Sequence, residues 1–202
     1  MNKREFLKVG LLGMGALAIS PKASALKYYP NTSISKKKWA VIYGTWCGSA
    51  RDAGLWISEG MRGVADVFDV RENPDISKYD YIIIGSAIRS NKVTDELDQY
   101  IAKNRSLIKS KLVGLYVVAG NMMRPFTAEQ KATLLDNYLF KLCDVKDVMS
   151  AAFLGRVTLG LMDKAAYEMM SRMGTSDYDN LKRPECMAFG AEVFDKYDSF
   201  SE

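Results

Sequence analysis

The sequence predicts an α/β fold in which a parallel sheet of five strands is covered by helices on both faces. From residue 38 onwards, short apolar runs alternate with amphipathic segments. Two of the runs, at residues 81–85 and 112–119, are continuous and carry no charge. Such runs are typical of strands that are buried on both faces of a parallel sheet, and the intervening helices supply the long crossovers that parallel strands need.

The remaining elements are predicted from the same two patterns, short apolar runs for strands and amphipathic segments for helices. Further strands are expected at residues 39–43, 64–70 and 148–156, and helices at residues 49–61, 94–108, 127–142, 159–173 and 187–197. Two helix starts carry a capping signal, because Thr94 precedes two acidic residues and Thr127 stands three residues before Gln130. The methionines of the segment 159–173 are expected to face the core, the alternative being a surface for a quinone or a membrane. These methionines are Met162, Met169, Met170 and Met173.

Composition excludes several classes of mechanism. The 202 residues contain no histidine, which rules out histidine triads, histidine metal ligands and histidine proton shuttles. The three cysteines are widely spaced, so neither a structural zinc nor an iron–sulfur cluster is expected. Cys143 and Cys186 leave two alternatives open, a disulfide formed after export or two free thiols.

The start of the chain has the features of an export signal. Basic residues at the start are followed by a short apolar stretch at residues 9–19 and by an Ala-Ser-Ala site that ends at Ala25. The stretch Lys-Arg-x-Phe-Leu-Lys is similar to a twin-arginine signal, with Lys3 where the first arginine is usual. An ordinary secretory signal and an uncleaved anchor are the alternatives. A twin-arginine signal implies export of a folded protein, often one that already carries a cofactor.

The predicted cleavage site and the start of the alternating pattern at residue 38 divide the chain into three parts. Residues 1–25 are expected to be a signal peptide cleaved near Ala25, residues 26–37 a polar linker, and residues 38–202 one domain that works in the periplasm or elsewhere outside the cytoplasm. Most of the formal net charge of +4 belongs to the first part. The domain is therefore nearly neutral, and no binding to nucleic acid is expected.

Three loops are expected to meet at one edge of the sheet, at residues 44–49, 86–91 and 120–125. Each follows a predicted strand, and the carboxyl ends of parallel strands share one edge, where such folds bind their ligands. The first loop joins a strand directly to a helix and is rich in small and hydroxyl residues. A junction of this kind directs backbone N–H groups and the positive end of a helix dipole at one point, which suits a phosphate.

Three places in the chain carry a further pattern: the loop after the first strand, the stretch Tyr-Asp-Tyr-Ile-Ile-Ile-Gly-Ser-Ala-Ile-Arg at residues 79–89, and the late segments at 154–157 and 169–177. Together they resemble flavodoxin-like proteins, and within them the flavodoxin-domain family that includes the menaquinone-dependent protoporphyrinogen dehydrogenases. The resemblance implies a flavodoxin-like three-layer sandwich with strand order 2-1-3-4-5, and FMN as the cofactor. It covers essentially all of the chain after the leader.

The resemblance places candidate cofactor contacts in all three loops. In the phosphate loop they are Thr45, Trp46, Cys47, Gly48, Ser49 and Ala50; beside the flavin ring they are Ser86, Ala87, Ile88 and Arg89 on one side and Gly120, Asn121 and Met122 on the other. The family's loop usually reads Ser/Thr-x-Thr/Asp-Gly-x-Thr. Thr45 and Gly48 match this pattern, whereas Cys47 and Ala50 replace residues that would bind phosphate through their side chains.

Several roles stay open at this point. Thr45 and Ser49 either bind phosphate or cap the helix, and Trp46 either stacks on the flavin or covers the loop. Cys47 is either a small loop residue or a thiol whose pKa is lowered at a helix N-terminus. Arg89 either stabilises an anionic reduced flavin, or binds an acidic partner, or is simply solvated.

The expected function is that of an exported FMN-binding redox protein that passes electrons to a redox partner protein or a quinone, with a location close to a membrane left open. One alternative is a flavin-dependent oxidoreductase that acts on a quinone or a porphyrin-like substrate. The other is a flavodoxin-fold binding module that has lost its cofactor, which Cys47 and Ala50 would favour. No catalytic side chain and no metal site are assigned, because the flavin would supply the chemistry.

Overall fold

The structure is a computed structural model that describes residues 34–89, 92–119 and 125–198. The predicted signal peptide and most of the predicted linker lie outside the described residues. The end of that linker is described, and it contacts the domain, since the Ser35 hydroxyl donates a hydrogen bond to Asp198 Oδ1 at 2.6 Å. No helix in the described ranges is both long and apolar enough to cross a membrane.

Five strands of the described chain form one parallel sheet in the order β2-β1-β3-β4-β5. They are β1 (Trp39–Gly44), β2 (Ala65–Asp69), β3 (Tyr81–Ile88), β4 (Leu112–Ala119) and β5 (Met149–Leu154). The predicted fold class and strand order are confirmed. Because β1 has β2 on one side and β3 on the other, the chain reverses its direction of winding at β1, and the loop after β1 lies at the topological switch point.

The helices cover both faces of this sheet. They are α1 (Ser49–Gly60), α2 (Asp95–Lys111), α3 (Ala128–Leu134), α4 (Lys141–Cys143), α5 (Lys164–Arg172) and α6 (Arg183–Asp198), with a π-helical segment (Leu135–Phe140) between α3 and α4. Both predicted caps are confirmed. Thr94 accepts a hydrogen bond from the Leu97 N–H at 3.3 Å, and Thr127 forms a capping box with Gln130.

Side chains of alternate strand residues pack into two separate hydrophobic cores, one on each face of the sheet. Ile42 and its neighbours face the side covered by α2, the π-helical segment and α4, whereas Val41 and its neighbours face α1 and α6. Cys143 belongs to the first core and Cys186 to the second. The sheet therefore separates the two thiols, both of which are free, and the disulfide alternative is wrong.

Two strands, β3 and β5, end more than one residue away from their predicted ends. Strand β3 continues to Ile88 because its last residues pair with the end of β4, so Ser86 to Ile88 are not part of a loop. Strand β5 stops at Leu154, and after Gly155 a separate short strand forms, β6 (Arg156–Val157). This strand pairs antiparallel with β7 (Tyr178–Asp179), so Arg156 leaves the parallel sheet.

The segment predicted as a helix at residues 159–173 is divided in two. A 3₁₀ turn (Leu159–Leu161) precedes helix α5, and Ala166 is the one residue that α5 buries. Met169 and Met173 are 56% and 71% exposed, so the expectation that these methionines form core is wrong. The predicted helix is therefore confirmed for residues 164–172 only. Because the segment follows the β6–β7 pair rather than a strand of the parallel sheet, little of it is buried.

Helices α1 and α6 approach each other closely through glycines. A Cβ atom on Gly190 would lie 2.1 Å from the carbonyl oxygen of Ile57, and one on Gly60 would lie 2.0 Å from that of Met187. The two backbones are therefore in direct contact, and helix α1 is held from behind by α6.

We expect Gly190→Ala to lower the free energy of unfolding by about 2 kcal/mol or more, because the new methyl group must force two helix backbones apart. Gly160→Ala is the matched control. No atom of the described residues lies within 4 Å of its added Cβ, so this change should be neutral or slightly stabilising. Urea denaturation of both variants tests the prediction, and equal stabilities would contradict it.

Candidate functional site

The loop between β1 and α1 presents an uncapped helix N-terminus at the edge of the sheet. Gly48 has φ of +85°, in the left-handed region that glycine adopts without strain, and helix α1 starts at the next residue. The Thr45 hydroxyl accepts a hydrogen bond from the Gly48 N–H at 3.0 Å and so shapes the turn. No side chain of the described chain caps α1. The capping alternative for Thr45 and Ser49 is therefore wrong.

This arrangement leaves the first-turn N–H groups and the positive end of the helix dipole available to an anion. Ser49, the first helical residue, is 7% exposed. Thr45, Trp46 and Cys47 are half-buried and form the rim of the loop. The geometry suits a phosphate group that is bound mainly through backbone donors.

Tyr116 on β4 fixes the position of that helix start. Its side chain is fully buried, and its hydroxyl donates a hydrogen bond to the carbonyl oxygen of Ala50 at 2.8 Å. The ring lies across Gly85 of β3, where an added Cβ would be 1.9 Å from a ring atom. Burial raises the pKa of Tyr116 well above its ordinary value, so the hydroxyl stays a donor. Tyr116 was not predicted from the sequence, although a glycine inside the buried strand β3 is a signal of such a close approach.

Cys47 and Ala50, the two departures from the usual phosphate loop, have clear places in the structure. Ala50 is fully buried in the core beneath α1, so it acts as a packing residue. The Cys47 thiol donates to the carbonyl oxygen of Leu161 at 3.6 Å. Burial raises the pKa of this thiol, and the neighbouring Arg89 charge only partly opposes the effect. The thiol is thus a hydrogen-bond donor in a partly buried place, which favours the alternative of a small loop residue over that of a thiol activated by the helix N-terminus.

The end of strand β3 lies beside the phosphate loop, since Ser86 pairs in register with Gly44. Ser86 is fully buried and its hydroxyl donates to the carbonyl oxygen of Ala87 at 2.8 Å. Ala87, Ile88 and Arg89 are half-buried at the rim. Arg89 forms an ion pair with Asp163 at 2.6 Å, which excludes the alternative of a simply solvated arginine.

The third predicted loop lies outside the described residues. Gly120, Asn121 and Met122 therefore stay predictions, and the structure brings together the first two loops. No group of cysteine, aspartate and glutamate side chains in the described ranges is arranged to hold a metal ion.

Three charged residues that were not predicted to belong to the site connect it to the β6–β7 region. Arg156 pairs with Asp52, in the first turn of α1, at 2.7 Å. Asp163 caps helix α5 by accepting from the Ala166 N–H at 3.0 Å. That hydrogen bond and the Arg89 guanidinium lower the pKa of Asp163, which keeps the carboxylate ionised. The two ion pairs join residues far apart in sequence, so no local pattern could have predicted them.

Residues 40–180, which include both described loops of the site, match the family model of the flavodoxin domain. The chain belongs to the flavodoxin-domain family. No curated protein sequence matches it.

Solved structures with the same fold differ widely from this flavodoxin-domain protein in sequence. A flavodoxin from the domain Archaea is 13% identical with a TM-score of 0.49, and the alignment covers 79% of this chain and 97% of that one. The Flv1 flavodiiron core from Synechocystis sp. PCC6803 is 14% identical with a TM-score of 0.50, covering 85% and 38% of the two chains. A Fusobacterium nucleatum flavodoxin bound to flavin mononucleotide is 10% identical with a TM-score of 0.47, covering 82% and 99%. At such identities the likeness concerns the fold alone.

In this flavodoxin-domain protein, Tyr116→Phe should lower the free energy of unfolding by about 1 kcal/mol, because one buried hydrogen bond is lost without a cavity. Tyr100→Phe is the matched control, since its buried hydroxyl donates to the Pro74 carbonyl at 2.7 Å on the other face of the sheet. Both variants should lose similar stability. Only Tyr116→Phe should speed amide hydrogen exchange in the first turn of α1, and equal exchange in both variants would contradict the role assigned to Tyr116.

Proposed function

We propose that this protein binds FMN at the carboxyl edge of its sheet and transfers electrons outside the cytoplasm. The observation that carries the proposal is the uncapped N-terminus of α1, which follows the left-handed Gly48 at the switch point of the sheet. Membership of the flavodoxin-domain family supports it. The Fusobacterium nucleatum flavodoxin is bound to flavin mononucleotide, and this is the ligand that we extend to this chain.

The residues present fit this cofactor. The backbone N–H groups that start α1, with the hydroxyls of Thr45 and Ser49, would hold the phosphate. The rim residues Ser86 to Arg89 would border the ring on one side, and Gly120 to Met122 on the other. Bound FMN supplies the redox chemistry, while these residues bind it, orient it and keep water away.

The departures from the usual phosphate loop set the expected strength of binding. Cys47 and Ala50 offer no hydroxyl or carboxylate, so the loop depends on its backbone donors and on two hydroxyls. A hydrogen bond to a charged group contributes about 1.5–3 kcal/mol. We therefore expect FMN to bind, but more weakly than in a loop with the full set of side-chain donors.

The leader supports a location outside the cytoplasm. Its similarity to a twin-arginine signal fits a protein that folds around its cofactor before export, and the domain would then work in the periplasm after cleavage near Ala25. Its partner would be a redox protein or a quinone.

A second candidate is a flavin-dependent oxidoreductase that acts on a quinone or a porphyrin-like substrate. The resemblance to menaquinone-dependent protoporphyrinogen dehydrogenases favours it, and so does one structural observation. Apolar side chains are exposed on the segment that contacts the proposed site, at Leu161, Tyr167, Met169 and Met173. Turnover of a soluble quinone by the reduced, FMN-loaded protein would favour this candidate, and absence of turnover would favour the electron carrier.

The direct test of the proposal is the absorbance spectrum of the natively exported protein, followed by release and identification of any flavin. We expect FMN in the purified protein, or uptake of FMN on addition. A protein without flavin that takes up none would contradict the proposal and favour a binding module that has lost its cofactor.

Gly48→Ala should weaken FMN binding roughly tenfold, because a left-handed backbone costs an alanine about 1–2 kcal/mol. The turn that presents the N–H groups would have to relax away from its geometry. Gly63→Ala is the matched control, since Gly63 also has a positive φ of +73° but follows the opposite end of α1, away from the phosphate loop. FMN titration should show weakening in the first variant only. Similar affinities in both would show that the Gly48 turn does not bind the phosphate.

A further inference from the structure

The chain between β6 and β7 lies against the proposed FMN site. We call residues 158–177 the cover segment; it contains the 3₁₀ turn and helix α5. It contacts the phosphate loop where the Cys47 thiol donates to the Leu161 carbonyl at 3.6 Å. It contacts the end of β3 where Arg89 pairs with Asp163 at 2.6 Å. One segment therefore contacts both of the described loops that form the site.

Both ends of the cover segment are firmly attached. The Gly155 N–H donates to the Ala119 carbonyl of β4 at 2.9 Å, and the Asn180 N–H donates to the Gly155 carbonyl at 3.1 Å. Arg156 pairs with Asp52 at 2.7 Å, and these two side chains are only 20% and 16% exposed. Water screens an ion pair of this kind much less than one on the surface. The β6–β7 pair is therefore a stable stem.

The middle of the cover segment is attached weakly. Arg89 and Asp163 are 35% and 58% exposed, so water and salt screen their ion pair. Helix α5 buries Ala166 alone, whereas Tyr167 and Met169 are 48% and 56% exposed. Segments with little buried apolar surface open locally at low cost in free energy. A segment whose ends are firmly attached and whose middle is weakly attached can open and close about its ends, as a hinged cover does.

We propose that the cover segment opens and closes over the β1–α1 loop on its β6–β7 stem, with the Arg89–Asp163 ion pair as its latch. The proposal rests on the function proposed above, because the cover would admit FMN and then keep water from the bound phosphate. Exclusion of water strengthens the electrostatic attraction between an anion and the helix N-terminus. Arg89 would thus serve both as a rim residue and as part of the latch.

The three cysteines supply an internal probe of this movement. Cys143 and Cys186 are fully buried, and burial raises the pKa of each thiol to about 12. Neither should react with a thiol reagent while the protein stays folded. Cys47 contacts the cover segment and is only partly buried. The rate at which DTNB labels the native full chain therefore reports on access to Cys47.

Two variants of the Arg89–Asp163 ion pair distinguish opening of the cover segment from a direct effect of charge on the Cys47 thiol. The Arg89 charge lowers the pKa of Cys47 and the Asp163 charge raises it. By charge alone, Asp163→Asn would speed labelling and Arg89→Gln would slow it, because the thiolate is the reacting form. If the ion pair is a latch, both variants should label faster, by roughly two- to fivefold, the effect expected for an exposed pair. Asparagine also keeps the cap of α5, so that helix is preserved in the first variant.

Asp144→Asn is the matched control. It removes the Lys109–Asp144 ion pair, whose side chains are 56% and 64% exposed and which lies away from the loops. This variant should label at the wild-type rate. Opposite changes in the two latch variants would overturn the proposal, as would no change in either. Equal acceleration in Asp144→Asn would also overturn it, since general destabilisation would then explain the result.

The experiment distinguishes this proposal from the proposed function. Labelling is measured first on FMN-free protein and then with FMN added, which should slow it. If both latch variants accelerate labelling but FMN neither binds nor protects Cys47 from DTNB, the result supports the proposed cover and contradicts the proposed FMN site. If FMN binds and protects Cys47 from DTNB but the latch variants change the labelling rate as charge alone predicts, the result supports the proposed FMN site and contradicts the proposed cover.

Discussion

The Tyr116 hydroxyl reaches from β4 across β3 to the carbonyl oxygen of Ala50, and the geometry of the proposed FMN site depends on this buried contact. Two glycines make room for it. A Cβ on Gly85 would overlap the tyrosine ring, and one on Gly54 would lie 2.8 Å from its hydroxyl oxygen. Helix α1 is therefore positioned from the interior of the sheet as well as by its loop. Backbone donors fixed in this way bind an anion with little loss of conformational entropy.

This interior support accounts for a phosphate loop with few side-chain ligands. Ala50 is buried in the core, so its side chain contributes to packing rather than to binding. Cys47 contacts the cover segment through its thiol, which donates to the Leu161 carbonyl. What is left for an anion is the backbone of the first helical turn, the Thr45 and Ser49 hydroxyls, and a rim that the cover segment approaches from the side. Within the described residues, the phosphate loop therefore offers rigid backbone donors and two hydroxyls rather than charged side chains.

The parts of the structure that follow local rules were predictable from the sequence. Uncharged runs identified β3 and β4, the Thr94 and Thr127 caps identified two helix starts, and the crossovers determined a parallel sheet. Pairing with β4 extended β3 through Ser86 to Ile88, although these residues were predicted to begin a loop. Tertiary contacts outweigh local preference in strands more readily than in helices.

The rest depends on contacts that no short stretch encodes. The periodicity of residues 159–173 predicted a helix but not which surface its apolar side would meet, and that side faces solvent. Arg156 was expected in β5, yet it forms the stem of the cover segment with Asp52, which lies far earlier in the chain. The two residues of the Arg89–Asp163 pair are also distant in sequence. The periodicity of a segment shows that one of its faces is apolar, whereas the three-dimensional fold determines what packs against that face.

The central claim is that the start of α1 binds the phosphate of FMN. It is tested most directly by titrating the full chain with FMN and with riboflavin, which has the same ring without the phosphate. We predict that FMN binds at least about a hundredfold more tightly, the effect of two hydrogen bonds to a charged group. Equal affinities for the two flavins would contradict the claim, because the helix N-terminus would then contribute nothing to binding.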